Sequence, residues 1–196
     1  MPGAVPPASA VPGAVPPASG AAPGSGVLVI GYGSPLRSDD GVGPAVAERL
    51  AGDARLAGAD VRAEHQLTPE LALDASQARL LVLVDAAEGV PAGEVVVRDL
   101  APVGRGGIAD GDVAGRVEEG GPPLTHHLDP AALLALAAGL WGTAPRTVLV
   151  GVGPASLELG DVLSPEVAAA VARAAEAVVA VVTGRQAAAS GGARGA

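Results

Sequence analysis

Three short stretches of this 196-residue chain carry side chains able to do chemistry. The first is Gly31-Tyr32-Gly33-Ser34-Pro35-Leu36-Arg37-Ser38-Asp39-Asp40-Gly41-Val42-Gly43, with two successive carboxylates where a helix should start. One aspartate suffices as a helix cap; a second is free to point over the end of the preceding strand. Asp85 is the next signal, because it terminates the apolar run Leu80–Val84; taken alone, it could equally open a turn. The last stretch is Thr125-His126-His127-Leu128-Asp129-Pro130, which holds two of the chain's three histidines just before a helix start. Adjacent histidines in a loop point different ways, so at most one should face a cleft while the other is solvated. His65, at the end of a weak strand candidate, reads as structural. Two carboxylates and an imidazole on one rim make a mixed O/O/N set, suited to a borderline divalent metal or to general acid–base work.

Other chemistries are excluded by residue type. The chain has no cysteine, so it forms no disulfide, thiolate nucleophile or sulfur-ligated metal site, and all 12 of its basic residues are arginines, so no lysine nucleophile or Schiff base exists. Gly31-Tyr32-Gly33 does not continue into a dinucleotide fingerprint, since Leu36 stands where the third glycine belongs. Asp39 and Asp40 would also repel a pyrophosphate at that helix start. A phosphate-binding Gly-Lys-Ser/Thr is missing too. Aromatic residues make up 1% of the chain and its net charge is −9, which argues against stacked bases, phosphate backbones and anionic membranes as partners. No basic start precedes an unbroken apolar stretch, and the apolar run 167–182 is interrupted by Arg173 and Glu176. A cytoplasmic location with no membrane partner is the expectation.

The elements that must position these residues alternate along the chain. Strands are predicted at Val27–Gly31, Val61–His65, Arg79–Asp85, Glu94–Arg98 and Thr147–Gly151. Val42, Val46 and Leu50 recur at helical spacing. Thr68-Pro69, Asp129-Pro130 and Ser164-Pro165 each place an N-cap oxygen before a proline at the first helical position. The last helix should run from Pro165 to about Thr183 and end at Gly184. Such alternation implies crossover connections and a mostly parallel sheet covered on both faces. Glu94–Arg98 follows Asp85 too closely for a helical crossover and should pair antiparallel, making the sheet mixed. Residues 101–123, with seven glycines and three prolines, read as a surface loop. The chain divides into a Pro/Ala/Gly-rich tail at 1–25, in which residues 2–9 recur as 12–19, one domain at 26–184, and a second tail at 185–196. The fold class is an α/β three-layer sandwich with a mixed, mostly parallel five-stranded sheet between helices.

These segments, taken in order, resemble the hydrogenase maturation endopeptidases, which trim the C-terminal extension from the large subunit of nickel–iron hydrogenase after nickel insertion. The resemblance spans residues 27–182 and is carried by five segments. They are Gly31 to Gly43, His65-Gln-Leu-Thr-Pro-Glu-Leu71, Leu81 to Ala86, Thr125-His-His-Leu128, and Gly151-Val-Gly-Pro154 with Leu163-Ser-Pro-Glu166. It implies that Asp40, Asp85 and His126 are the metal-binding and catalytic residues. Asp40 is chosen over Asp39 by the spacing to the next Gly-x-Gly, and His126 over His127 by the Thr-His pair. The nickel would arrive already held by the hydrogenase precursor, which is then the partner; no organic cofactor is implied. One departure stands out: Ser34 occupies a position where the family usually has asparagine. The same resemblance implies a phosphorylase/hydrolase-like sandwich and leaves open whether a carboxylate or the metal activates water. Two other functions fit parts of the pattern. A nucleoside phosphorylase-like hydrolase would need Tyr32 as its stacking aromatic, and a nickel-checking chaperone would bind the precursor without cutting it.

Overall fold

The computed structural model describes residues 26–100 and 128–184. The expected tails at 1–25 and 185–196, the loop at 101–123, and both His126 and His127 lie outside the described residues. In chain order the elements are β1 (Val27–Tyr32), α1 (Val42–Leu50), β2 (Asp60–Glu64), α2 (Leu71–Gln77), β3 (Leu80–Ala86), β4 (Val95–Leu100), α3 (Pro130–Trp141), β5 (Arg146–Val152) and α4 (Pro165–Thr183). A single turn of 3-10 helix, Ser38–Gly41, leads into α1.

The five strands form one sheet in the order β2-β1-β3-β5-β4. All pairings are parallel except β4 with β5. The expected antiparallel strand is therefore present, on the outer side of β5. β1 and β3 are buried on both faces, which is why they read as unbroken apolar runs. Alternation along them feeds two cores. Val29, Val82, Val84 and Val150 pack with Val46 and Leu50 of α1 and with Val178 of α4. Leu28, Ile30, Leu81 and Leu83 pack with Leu71 of α2 and Leu133 of α3. With α1 and α4 on one side and α2 and α3 on the other, the sandwich has three layers.

Two of the three expected proline caps are present. Asp129 Oδ1 accepts from Ala132 N at 2.6 Å and Ser164 Oγ from Val167 N at 3.4 Å. The third prediction fails: α2 begins at Leu71 behind Glu70, without a side-chain cap. Main-chain bonds from Leu71 N to Thr68 O and from Ala72 N to Pro69 O spend residues 68–70 on a turn instead. α4 does end at Gly184, in the left-handed conformation with φ +69°. Among the described residues no helix is long and apolar enough to cross a membrane.

The strand order also locates the crevice. After β1 the chain moves to one side to form β2, then crosses back to form β3 on the other side of β1. Connections therefore diverge above the carboxyl ends of β1 and β3, where open α/β sheets receive their ligands. Tyr32 stands at the end of β1, and Asp85 near the end of β3.

Candidate active site

The first motif delivers its carboxylates by close backbone packing. A Cβ on Gly43 would lie 2.2 Å from Tyr32 O and 2.5 Å from Val84 O, so the start of α1 rests directly on the ends of β1 and β3. Gly33, at φ +136°, is needed for both reasons a glycine can be: L side chains rarely adopt that conformation, and a Cβ there would lie 1.9 Å from Asp40 O. These glycines make room for a turn and a helix, a different use from cradling phosphate.

The two adjacent aspartates have separate fates. Asp39 is fully buried, and its carboxylate accepts from Ala155 N (2.8 Å), Ser156 N (2.9 Å), Ser164 N (2.6 Å) and Ser164 Oγ (2.9 Å). Burial opposes its ionisation, but these donors, the Ser164 N–H foremost, outweigh that and hold its pKa below the usual carboxylate value. It clamps the 38–41 turn to the chain ahead of α4. The expected helix-capping role is not taken by either aspartate. Gly41 occupies the N-cap of α1 and makes no side-chain cap bond.

Asp40 is half-buried, and its Oδ2 accepts from Ser34 N at 2.8 Å. That bond comes from the main chain, so serine at position 34 serves it as well as asparagine. Asp85 is also half-buried, and its Oδ1 accepts from the following amide, Ala86 N, at 2.7 Å. Burial pushes its carboxyl pKa up to about 6; the hydrogen bonds from Tyr32 and Ala86 oppose the rise, and the nearby charge of Asp40 adds to it. The structure thus brings Asp40 and Asp85 within each other's field.

Tyr32 completes the described part of the rim. Its hydroxyl donates to Asp85, and burial followed by the Asp85 charge raises the phenol pKa well above its ordinary value. The ring packs against the core layer of Leu28 and Ile30. An aromatic so engaged is poorly placed as a base-stacking platform, which removes the motivation for the nucleoside reading. From the sequence it was legible only as an aromatic near the rim; nothing in a single chain marks it as a partner of Asp85. The field of Asp129 also reaches Tyr32, and Leu128 packs against the same core layer. The start of α3 therefore lies beside the Tyr32–Asp85 pair. His65 lies just past the end of β2 and is exposed. Among the described residues no group of three His, Asp or Glu side chains is arranged to hold a metal. Two half-buried carboxylates close enough for one to raise the pKa of the other can exchange protons with water or supply oxygen ligands to a metal.

Comparison with solved structures agrees with this architecture. The hydrogenase 2 maturation peptidase from Thaumarchaeota archaeon SCGC_AB-539-E09 is 27% identical, with a TM-score of 0.56 over 82% of this chain and 99% of its own. The hydrogenase maturating endopeptidase HybD from E. coli is 23% identical, with a TM-score of 0.58 over 81% of this chain and 92% of its own. A nickel–iron hydrogenase maturation protease, HycI from Thermococcus kodakarensis KOD1, is 22% identical, with a TM-score of 0.55 over 80% and 92%. No protein-family model matches the chain, and no curated protein matches it by sequence.

Proposed function

We propose that this chain, a member of the hydrogenase maturation endopeptidase family, removes the C-terminal extension of a nickel–iron hydrogenase large-subunit precursor once nickel has been inserted. The observation that carries this reading is that Asp40 and Asp85 lie within each other's field at the switch point of the sheet, in a chain with no cysteine or lysine nucleophile. His126 is the third member of the set. It comes to the set from the resemblance, through the Thr125-His126 pair, and lies outside the described residues.

In this scheme nickel is part of the substrate. Held by the precursor, it gains two carboxylate oxygens and one imidazole nitrogen from the peptidase, a donor set that suits a borderline divalent ion. Ligation docks the precursor, fixes its scissile peptide in the crevice and makes cleavage conditional on the metal. Two routes to the attacking water use the same residues. Either a carboxylate takes the proton as general base, or the nickel polarises the water.

Incubation of nickel-loaded precursor with wild-type and Asp40→Asn protein tests the reading. A product shortened at its C-terminus is expected from the wild type and not from the variant. Binding without any product from the wild type would instead identify a nickel-checking chaperone.

A further inference from the structure

The chain's one tyrosine stands on one of its proposed metal ligands. In the β1–β3 register, Gly31 faces Val84, and the next position along each strand is Tyr32 and Asp85. Strand alternation puts both on the side of Leu28, Ile30, Leu81 and Leu83, facing α2 and α3. The phenol O–H donates to the Asp85 carboxylate, which also accepts from Ala86 N. An ionised carboxylate offers about four acceptor sites. Two are therefore taken from inside the protein, one by the strand's own backbone and one by a side chain fixed in the adjacent strand.

We propose that Tyr32 is a positioning residue of the peptidase site, its hydroxyl locking the Asp85 carboxylate in the orientation that leaves its remaining lone pairs toward Asp40 and the incoming nickel. The proposal rests on the reading that Asp85 is a nickel ligand. Without the phenol, among the described residues, the carboxylate keeps its bond to the neighbouring amide alone, and rotation about Cβ–Cγ is no longer restrained from across the strand. Donors that orient metal ligands in this way typically contribute 10–100-fold in affinity. A merely structural tyrosine would act through its ring, which Phe retains in full.

The test uses the full chain and nickel(II) ion alone as the probe, with calorimetric affinities and thermal midpoints recorded in parallel. Tyr32→Phe is expected to weaken nickel binding by about 10-fold while keeping a cooperative melting transition, its midpoint lowered only as far as the loss of one hydrogen bond requires. Asp85→Asn should weaken it at least as much. Wild-type affinity in Tyr32→Phe beside a loss in Asp85→Asn would overturn the positioning role and leave the site reading standing. Loss of affinity in Tyr32→Phe together with loss of the cooperative melting transition would also overturn it, assigning the tyrosine to packing. Wild-type affinity in Asp85→Asn would remove Asp85 from the ligand set, and the proposal with it.

Discussion

Replacing Asp85 with asparagine should stabilise the protein at neutral pH while removing a carboxylate that the proposed reaction needs. In the folded chain the Asp85 carboxyl has its pKa raised by burial, and by the neighbouring Asp40 charge, from 3.8 to about 6. A raised native pKa means that the folded state holds its proton more tightly than the unfolded state does. The contribution of Asp85 to stability is then fully present below about pH 4, declines as pH rises and is gone above about pH 6. A shift of about two pH units corresponds to about 3 kcal/mol, and relaxation of the half-buried site brings the expected gain to about 1–3 kcal/mol. Asparagine is nearly isosteric and keeps an acceptor oxygen for both Ala86 N and the Tyr32 hydroxyl, so little is lost in exchange. Urea unfolding of both proteins with a metal chelator present, at pH 4 and pH 8, reads the effect. The two should be equally stable at pH 4, and Asp85→Asn the more stable at pH 8 while inactive on the precursor. Equal stability at both pH values, or a variant weaker at pH 8, would show that Asp85 is not held in a costly ionised state.

Asp39 should behave in the opposite way. Asp39→Ala leaves three main-chain N–H groups and the Ser164 hydroxyl without their acceptor, a loss of about 3–5 kcal/mol in chemical denaturation. Because its native pKa is lowered, that margin over the variant is complete above about pH 4 and shrinks as pH falls further. Gly43→Ala puts a methyl group 2.2 Å from Tyr32 O, and the overlap with backbone should cost at least about 3 kcal/mol, seen as loss of soluble folded protein or a much lower unfolding midpoint. Asp129→Ala removes the α3 cap and should cost about 1 kcal/mol in the same denaturation assay.

The sequence made the sheet legible because its central strands are buried on both faces, so that Val27–Ile30 and Leu80–Val84 are apolar without interruption. Pro130 and Pro165 marked their helices because an oxygen-bearing residue precedes each and the following residues turn at once. Thr68-Pro69 carries the same local signal. There the chain completes a turn before Leu71 can insert into the core, so tertiary packing set the start of α2. The carboxylates of the site were recognisable at a helix start and at a strand end, and the resemblance chose Asp40 over Asp39, but the clamping role that Asp39 takes was not legible. Asp39 and Asp40 are chemically identical and adjacent. What separates them is the segment 155–164, more than a hundred residues away, whose amides turn toward one of the two. The Tyr32–Asp85 contact depends on strand register, which local spacing does not specify.

Intact-mass measurement of a hydrogenase large-subunit precursor, prepared with and without nickel and incubated with this protein, bears most directly on the central claim. The account predicts a loss of mass equal to a C-terminal peptide from the nickel-loaded precursor alone. The same loss from the nickel-free precursor, at a comparable rate, would contradict it.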